Sequence, residues 1–203
     1  SGVVNLKNEG IDENKIIKVG DVMYDAALYF GKIAEKESNI IDQLQIQPKQ
    51  YILSTVHRQE NTDNPQILKN IFSALADAPL PVIIPLHPRT KKKLAENNIS
   101  LSGQIFPIEP VGYLDMVVLE KNAQKIATDS GGIQKEAYFY EVPCITLRNE
   151  TEWIELVEAG VNLLVGSNQN NISEALNGNL SVKFTQNLYG EGNARMKIIS
   201  KLI

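Results

Sequence analysis

Short apolar, β-branched runs alternate with longer amphipathic stretches along most of the chain. The strand-type runs lie at 16–19, 51–56, 82–86, 104–108, 125–128, 144–147 and 163–165. The helix-type stretches lie at 22–37, 65–76, 91–97, 112–122, 133–140, 153–158 and 171–177, with a last helix at 194–202. Most of the strand runs are continuously apolar instead of alternating, which is what burial on both sheet faces requires. Parallel strands need crossover connections, and the intervening helices supply them. The expected fold class is therefore α/β, a doubly wound parallel sheet of about six strands.

Local punctuation supports these boundaries. Asp63-Asn64-Pro65 places a side-chain acceptor and then a proline at the start of a helix. Glu141-Val142-Pro143 interrupts one helix and opens a strand, and Gly166-Ser167-Asn168 closes another strand with turn residues. No repeat, low-complexity tract or interdomain linker divides the 203 residues, so one domain over 1–203 is expected.

Composition narrows the class of partner. Twenty basic residues against 24 acidic ones give a net charge of −4, so neither nucleic acid nor an anionic membrane is expected as a partner. The densest basic run, Lys91-Lys92-Lys93, reads as a solvated helix face. Cys144 is the only cysteine, which excludes internal disulfides and thiolate zinc clusters. The two histidines are isolated from carboxylates at ligand spacing, so no metal site is expected. Residues 1–5 lack a basic region and an apolar core of a signal peptide, and the beginning reads as a cut within a longer cytoplasmic protein.

In open parallel sheets ligands bind beyond the carboxyl ends of the strands. Three such segments carry chemistry. Asp129-Ser130-Gly131-Gly132 precedes a helix expected to start near Ile133. Free backbone N–H groups at such a helix start suit a diphosphate, although a tight turn alone would use the same glycines. Glu136, one turn into that helix, is placed to accept hydrogen bonds from sugar hydroxyls, or is simply a surface acid. The second segment, residues 54–61, carries His57, whose ordinary pKa suits proton transfer beside a leaving group but which can equally cap its loop. The third, Leu86-His87-Pro88-Arg89, adds an imidazole and a guanidinium at the same sheet edge.

These elements together resemble the UDP-N-acetylglucosamine 2-epimerases. The resemblance rests on Val19-Gly20-Asp21 with Asp25, Thr55-Val56-His57-Arg58-x-Glu60-Asn61, His87-Pro88, Thr128-Asp129-Ser130-Gly131-Gly132-Ile133-Gln134-x-Glu136, Pro143 and Arg148-x-x-Thr151-Glu152. Asn187-x-Tyr189-Gly190-x-Gly192 closes the series, so the ordered set covers nearly the whole chain.

The resemblance implies a Rossmann-like domain forming the C-terminal half of a GT-B-like enzyme, with helix 194–202 packing back on an N-terminal half. It implies anti elimination of UDP from UDP-GlcNAc to 2-acetamidoglucal, then re-addition of UDP to give UDP-ManNAc for surface polysaccharides, with no metal or redox cofactor. It assigns His57 to departure of UDP, Ser130, Gly131 and Gly132 to the phosphates, and Glu136 to the ribose. The acid and base carboxylates would belong to the N-terminal half, and the full-length protein would be a homodimer. Arg58, Glu60 and His87 match residues of a second, activating UDP-GlcNAc site in non-hydrolysing members.

Three departures stand out. The pattern T-E-R-P-E reads Thr151-Glu152-Trp153-Ile154-Glu155, which puts Trp153 where an arginine is expected and leaves Arg148 as a compensating charge. The pattern H-R-R-E reads His57-Arg58-Gln59-Glu60, and the aromatic expected beside uracil is Met116. Competing readings are a hydrolysing epimerase that releases ManNAc and UDP, a glycosyltransferase of the same overall fold, and a UDP-binding module that is inactive by itself.

Overall fold

The computed structural model describes residues 2–180, 182–184 and 187–203. Its six strands are β1 (Ile52–Thr55), β2 (Val82–Pro85), β3 (Ile105–Ile108), β4 (Lys125–Thr128), β5 (Cys144–Thr146) and β6 (Asn162–Leu164). They form one sheet in the order β3-β2-β1-β4-β5-β6, with every neighbouring pair parallel. This is the Rossmann-like order, in which the direction of winding reverses between β1 and β4.

The helices are α1 (Gly2–Asn8), α2 (Val22–Glu37), α3 (Ile40–Gln43), α4 (Gln59–Thr62), α5 (Pro65–Ala76), α6 (Pro88–Glu96), α7 (Tyr113–Asn122), α8 (Gly131–Phe139), α9 (Ile154–Glu158), α10 (Gln169–Asn177) and α11 (Ala194–Leu202). A 3-10 turn spans Glu13–Lys15. Helix α5 shows why these segments coil. Asn64 accepts hydrogen bonds from the N–H groups of Gln66 and Ile67, and Pro65 occupies the first turn. Leu68, Ile71 and Leu75 then recur at helical spacing and are fully buried.

Alternate strand residues feed two apolar layers. Ile52, Val82, Ile84, Ala127 and Ile145 face the layer that holds α5 and α10 side chains. Leu53, Ile83, Ile126 and Cys144 face the layer with Ala34 of α2, Leu119 of α7 and Ala137 of α8. Both β1 and β4 are buried at every residue, including the polar Ser54, Thr55, Lys125 and Thr128, as central strands covered on both faces require.

The expected strand at 16–19 does not form. Ile17 is exposed, and the segment leads to Asp21, whose N–H donates to the Tyr189 carbonyl at 3.0 Å, so it is tied to the C-terminal loop and not to the sheet. An apolar run becomes a strand only where a neighbour completes its hydrogen bonds. Helix α8 starts at Gly131, two residues before the expected Ile133, and α6 starts at Pro88 instead of 91, because Ser130 and His87 act as their N-caps. Helix α11 is held by Asp25 of α2, which accepts from the N–H groups of Ala194 at 3.0 Å and Arg195 at 2.9 Å. Its Met196, Ile199 and Leu202 side chains are exposed.

Candidate functional site

The winding reversal puts the loops that follow β1 and β4 side by side, at the sheet edge where open α/β proteins bind ligands. A buried carboxylate joins them. Asp129, fully enclosed after β4, accepts hydrogen bonds from the N–H groups of His57 (3.0 and 3.1 Å) and Arg58 (2.9 Å), and from the Asn61 side-chain amide (3.0 Å). The His57 Nδ1 atom lies 3.4 Å from the same carboxylate. Beneath it the hydroxyls of Thr55 and Thr128 share a 2.6 Å hydrogen bond across the two strands. The β1 loop therefore has its shape dictated from β4.

Ser130 caps α8: its Oγ accepts from the Ile133 N–H at 3.5 Å and its carbonyl from the Gln134 N–H at 3.2 Å. The N–H groups of Gly131 and Gly132 have no intrahelical acceptor and carry the positive end of the helix dipole. A second brace comes from the loop after β5. Trp153 donates its indole N–H to the Gly131 carbonyl at 2.8 Å, while Thr151 donates its hydroxyl to the buried Gln134 side chain at 2.6 Å. Behind the indole, the buried Lys135 pairs with Asp21, and its ammonium lies 4.4 Å from the Trp153 ring centre.

His57 and His87 converge as expected, with ring centres 5.7 Å apart. The Nδ1 atom of His87 accepts from the Arg89 N–H at 3.1 Å, which leaves its other nitrogen to carry the proton when the ring is neutral. Arg58, half-buried, reaches over the start of α8 toward Glu152 at 3.8 Å. Arg148, in contrast, is buried and spoken for: Nε donates to Glu60 at 2.9 Å and Nη1 to Glu152 at 2.8 Å. Those hydrogen bonds from Arg148 hold the Glu152 carboxyl below the usual carboxylate range.

Glu136 and Met116 stand apart from this edge group, on α8 and α7. Met116 is half-buried and packs against the core layer beneath α7. Glu136 accepts a 3.3 Å hydrogen bond from the exposed Tyr113, and burial raises its carboxyl despite that contact. Burial also pushes the Tyr113 hydroxyl up to about 12. Behind Glu136 lies Glu120, 1% exposed, with one carboxyl oxygen lacking a hydrogen-bond partner. Burial, and then the charge of Glu136, raise the Glu120 carboxyl well above the ordinary value.

Sequence reasoning singled out the edge residues but not Asp129 as their anchor, nor Tyr113, Glu120 and Lys135 as their neighbours. A signal existed only for Asp129, an acid directly after a strand and directly before the Ser130-Gly131-Gly132 turn. Among the described residues no group of three or more His, Cys, Asp or Glu side chains is placed to hold a metal ion, and no helix is long and apolar enough to cross a membrane.

The fold and this edge define a Rossmann-like α/β protein whose switch-point crevice offers a dipolar helix start flanked by imidazole and guanidinium groups. Comparison with known proteins makes the class specific. The sequence profile of the UDP-N-acetylglucosamine 2-epimerases matches residues 2–203. A UDP-N-acetylglucosamine 2-epimerase homolog of Methanococcus maripaludis is 50% identical over 98% of this chain and 57% of its own length. A UDP-2,3-diacetamido-2,3-dideoxy-D-glucuronate 2-epimerase of Pseudomonas aeruginosa is 42% identical over 98% and 56%. The crystal structure of Methanocaldococcus jannaschii UDP-GlcNAc 2-epimerase in complex with UDP-GlcNAc and UDP superposes with a TM-score of 0.86 at 44% identity, covering 98% of this chain and 57% of that one. The chain belongs to the UDP-N-acetylglucosamine 2-epimerase family and spans little more than half the length of these relatives.

Proposed function

We propose that this chain is the UDP-binding, C-terminal half of a non-hydrolysing UDP-GlcNAc 2-epimerase with a GT-B-like arrangement. One observation carries the reading: the Asp129 carboxylate fixes the His57 loop directly beside the α8 helix start, which is where a leaving diphosphate needs both a proton-bearing group and backbone donors. In this reading Ser130, Gly131 and Gly132 cradle the phosphates and His57 stands against the diphosphate as UDP departs. Glu136 receives the ribose hydroxyls, with Tyr113 beside it, and Met116 lies toward the uracil. Arg148 acts through Glu60 and Glu152 and not on a phosphate directly, because both of its engaged nitrogens already hold carboxylates.

The reaction proceeds by loss of the C2 proton to a base on the other half while the anomeric C–O bond breaks, leaving a C1–C2 double bond and UDP. UDP then adds back as a proton is delivered to the opposite face of C2, giving the manno epimer. No residue here needs a metal or redox cofactor for these steps. The exposed apolar side chains of α11, Met196, Ile199 and Leu202, suit packing on the other half, and a homodimer is the expected assembly of the whole enzyme. Arg58, Glu60 and His87, gathered at one edge, are the candidates for a second UDP-GlcNAc site.

NMR of UDP-GlcNAc incubated with the protein joined to its N-terminal half tests the reading. Appearance of UDP-ManNAc supports it; free ManNAc with accumulating UDP assigns the hydrolysing branch, and turnover only with an added acceptor sugar assigns a glycosyltransferase. The Pseudomonas relative favours running UDP-2,3-diacetamido-2,3-dideoxy-D-glucuronate in parallel. The 203-residue chain alone is expected to bind UDP without turning over UDP-GlcNAc.

A further inference from the structure

The cation that the family pattern leads one to expect at position 153 is missing, and most of the other positive charges around the α8 start are committed. Lys135 is buried, paired with Asp21 and covered by the rings of Trp153 and Tyr189 at 4.4 and 4.8 Å. Arg148 is 5% exposed and bound to two carboxylates. Arg58 differs from both. Its backbone is fixed by Asp129, yet its side chain is 38% exposed, and a methyl group built on Gly131 would lie 3.6 Å from its Nη2 atom. The same methyl would lie 3.6 Å from a Glu152 carboxylate oxygen. A guanidinium and a carboxylate thus flank the turn, 3.8 Å from each other.

We infer that Arg58 is the side chain that meets the diphosphate at the start of α8, taking the part of the missing arginine, and that Glu152 competes with the ligand for it. This rests on the UDP-binding reading above. The Arg58–Glu152 contact is longer than a hydrogen bond and half exposed, so it is weak. A phosphate accepts two parallel N–H donors from a guanidinium, which is the stronger arrangement. Exchange of Glu152 for phosphate is therefore favourable. Glu152 is left with Arg148, so its charge stays compensated. The cost is a carboxylate that remains beside an anion, and this cost limits affinity. Trp153 supplies the shape of the turn through Gly131, while Arg58 supplies the charge.

Calorimetric titration of the protein with UDP and, separately, with uridine tests the assignment at fixed ionic strength. Arg58→Gln should weaken UDP about tenfold or more and leave uridine within about twofold. Arg58→Lys should recover part of the UDP affinity. Glu152→Gln should tighten UDP by about two- to tenfold, and the gain should vanish in the Arg58→Gln background. Thermal melts of each variant report folding.

Wild-type protein that binds UDP, with Arg58→Gln binding it equally well, overturns this inference and leaves the UDP-binding reading intact. Equal losses for UDP and uridine overturn it too, because Arg58 would then act through the shape of the loop. A role confined to a second nucleotide-sugar site would likewise leave UDP affinity unchanged. Wild-type protein that binds neither ligand overturns the UDP-binding reading itself, and this inference with it.

Discussion

The indole N–H of Trp153 donates to the carbonyl of Gly131 at 2.8 Å, so the loop after β5 holds the first turn of the helix that follows β4. A side chain that interrupts the family pattern thereby becomes part of the frame of the crevice. Trp153→Phe keeps a ring beside Lys135 but deletes the donor. It is expected to cost about 0.5–1.5 kcal/mol in stability and to weaken UDP binding severalfold. Denaturant unfolding and calorimetry read both effects; unchanged values for both would remove Trp153 from the frame.

Asp129 makes the larger contribution. Its carboxylate receives three donors from the β1 loop in a fully buried position, and hydrogen bonds to a charged group are worth about 1.5–3 kcal/mol each. Asp129→Ala leaves these donors facing an apolar gap. We expect at least about 3 kcal/mol of destabilisation and loss of UDP binding. Asp129→Asn should lose less, since its amide oxygen still accepts. A melting temperature unchanged in the alanine variant would show that the loop is shaped without the clamp.

Glu120 sets a pH dependence. Its carboxyl is raised in the folded state, so the stability it contributes is complete below the unfolded value of about 4.3 and declines as pH rises from there toward the folded value. Glu136 adds to the effect of burial, and the Glu120 charge in turn raises Tyr51, Tyr113, Tyr140 and Cys144. Glu120→Gln imitates the protonated acid and removes the decline. The variant should gain stability relative to wild type as pH is raised from 5 to 8. Parallel melting curves across that range would refute the assignment.

Asp25 caps a helix 169 residues away in sequence, accepting from the Ala194 and Arg195 N–H groups. Loss of such a cap costs about 1 kcal/mol. In Asp25→Ala the effect should concentrate in α11, seen as faster amide exchange across residues 194–202 with little change in β1 or β4. Uniformly faster exchange would mean that Asp25 supports the core instead.

How much of this was legible beforehand differs by element. Six of the seven apolar runs read as strands became strands, because continuous Ile, Leu, Val and Ala runs between helical stretches have few other ways to bury themselves. Residues 16–19 carry the same composition and form none, since pairing is a property of neighbours. The short helices α1, α3 and α4 carry too little periodicity to be seen, and α4 (Gln59–Thr62) begins within the polar segment 54–61. The glycines of the phosphate-type turn were visible, yet they open α8 instead of preceding it.

By itself the sequence determined the parallel α/β architecture, the strand-end placement of His57, His87 and Ser130-Gly131-Gly132, and the family, because apolar periodicity and ordered motifs are written along the chain. The tertiary structure alone decided which charges are free. Arg148 looks in sequence like a cation a diphosphate would seek, but Glu60 and Glu152 hold it, and the buried Lys135 beside the same turn is held by Asp21. Arg58, read in sequence only toward a second nucleotide-sugar site, stands over Gly131 with its backbone N–H held by Asp129. Ion pairing and burial depend on distances across the fold, between residues as far apart as Asp21 and Lys135, and spacing along the chain does not contain those distances.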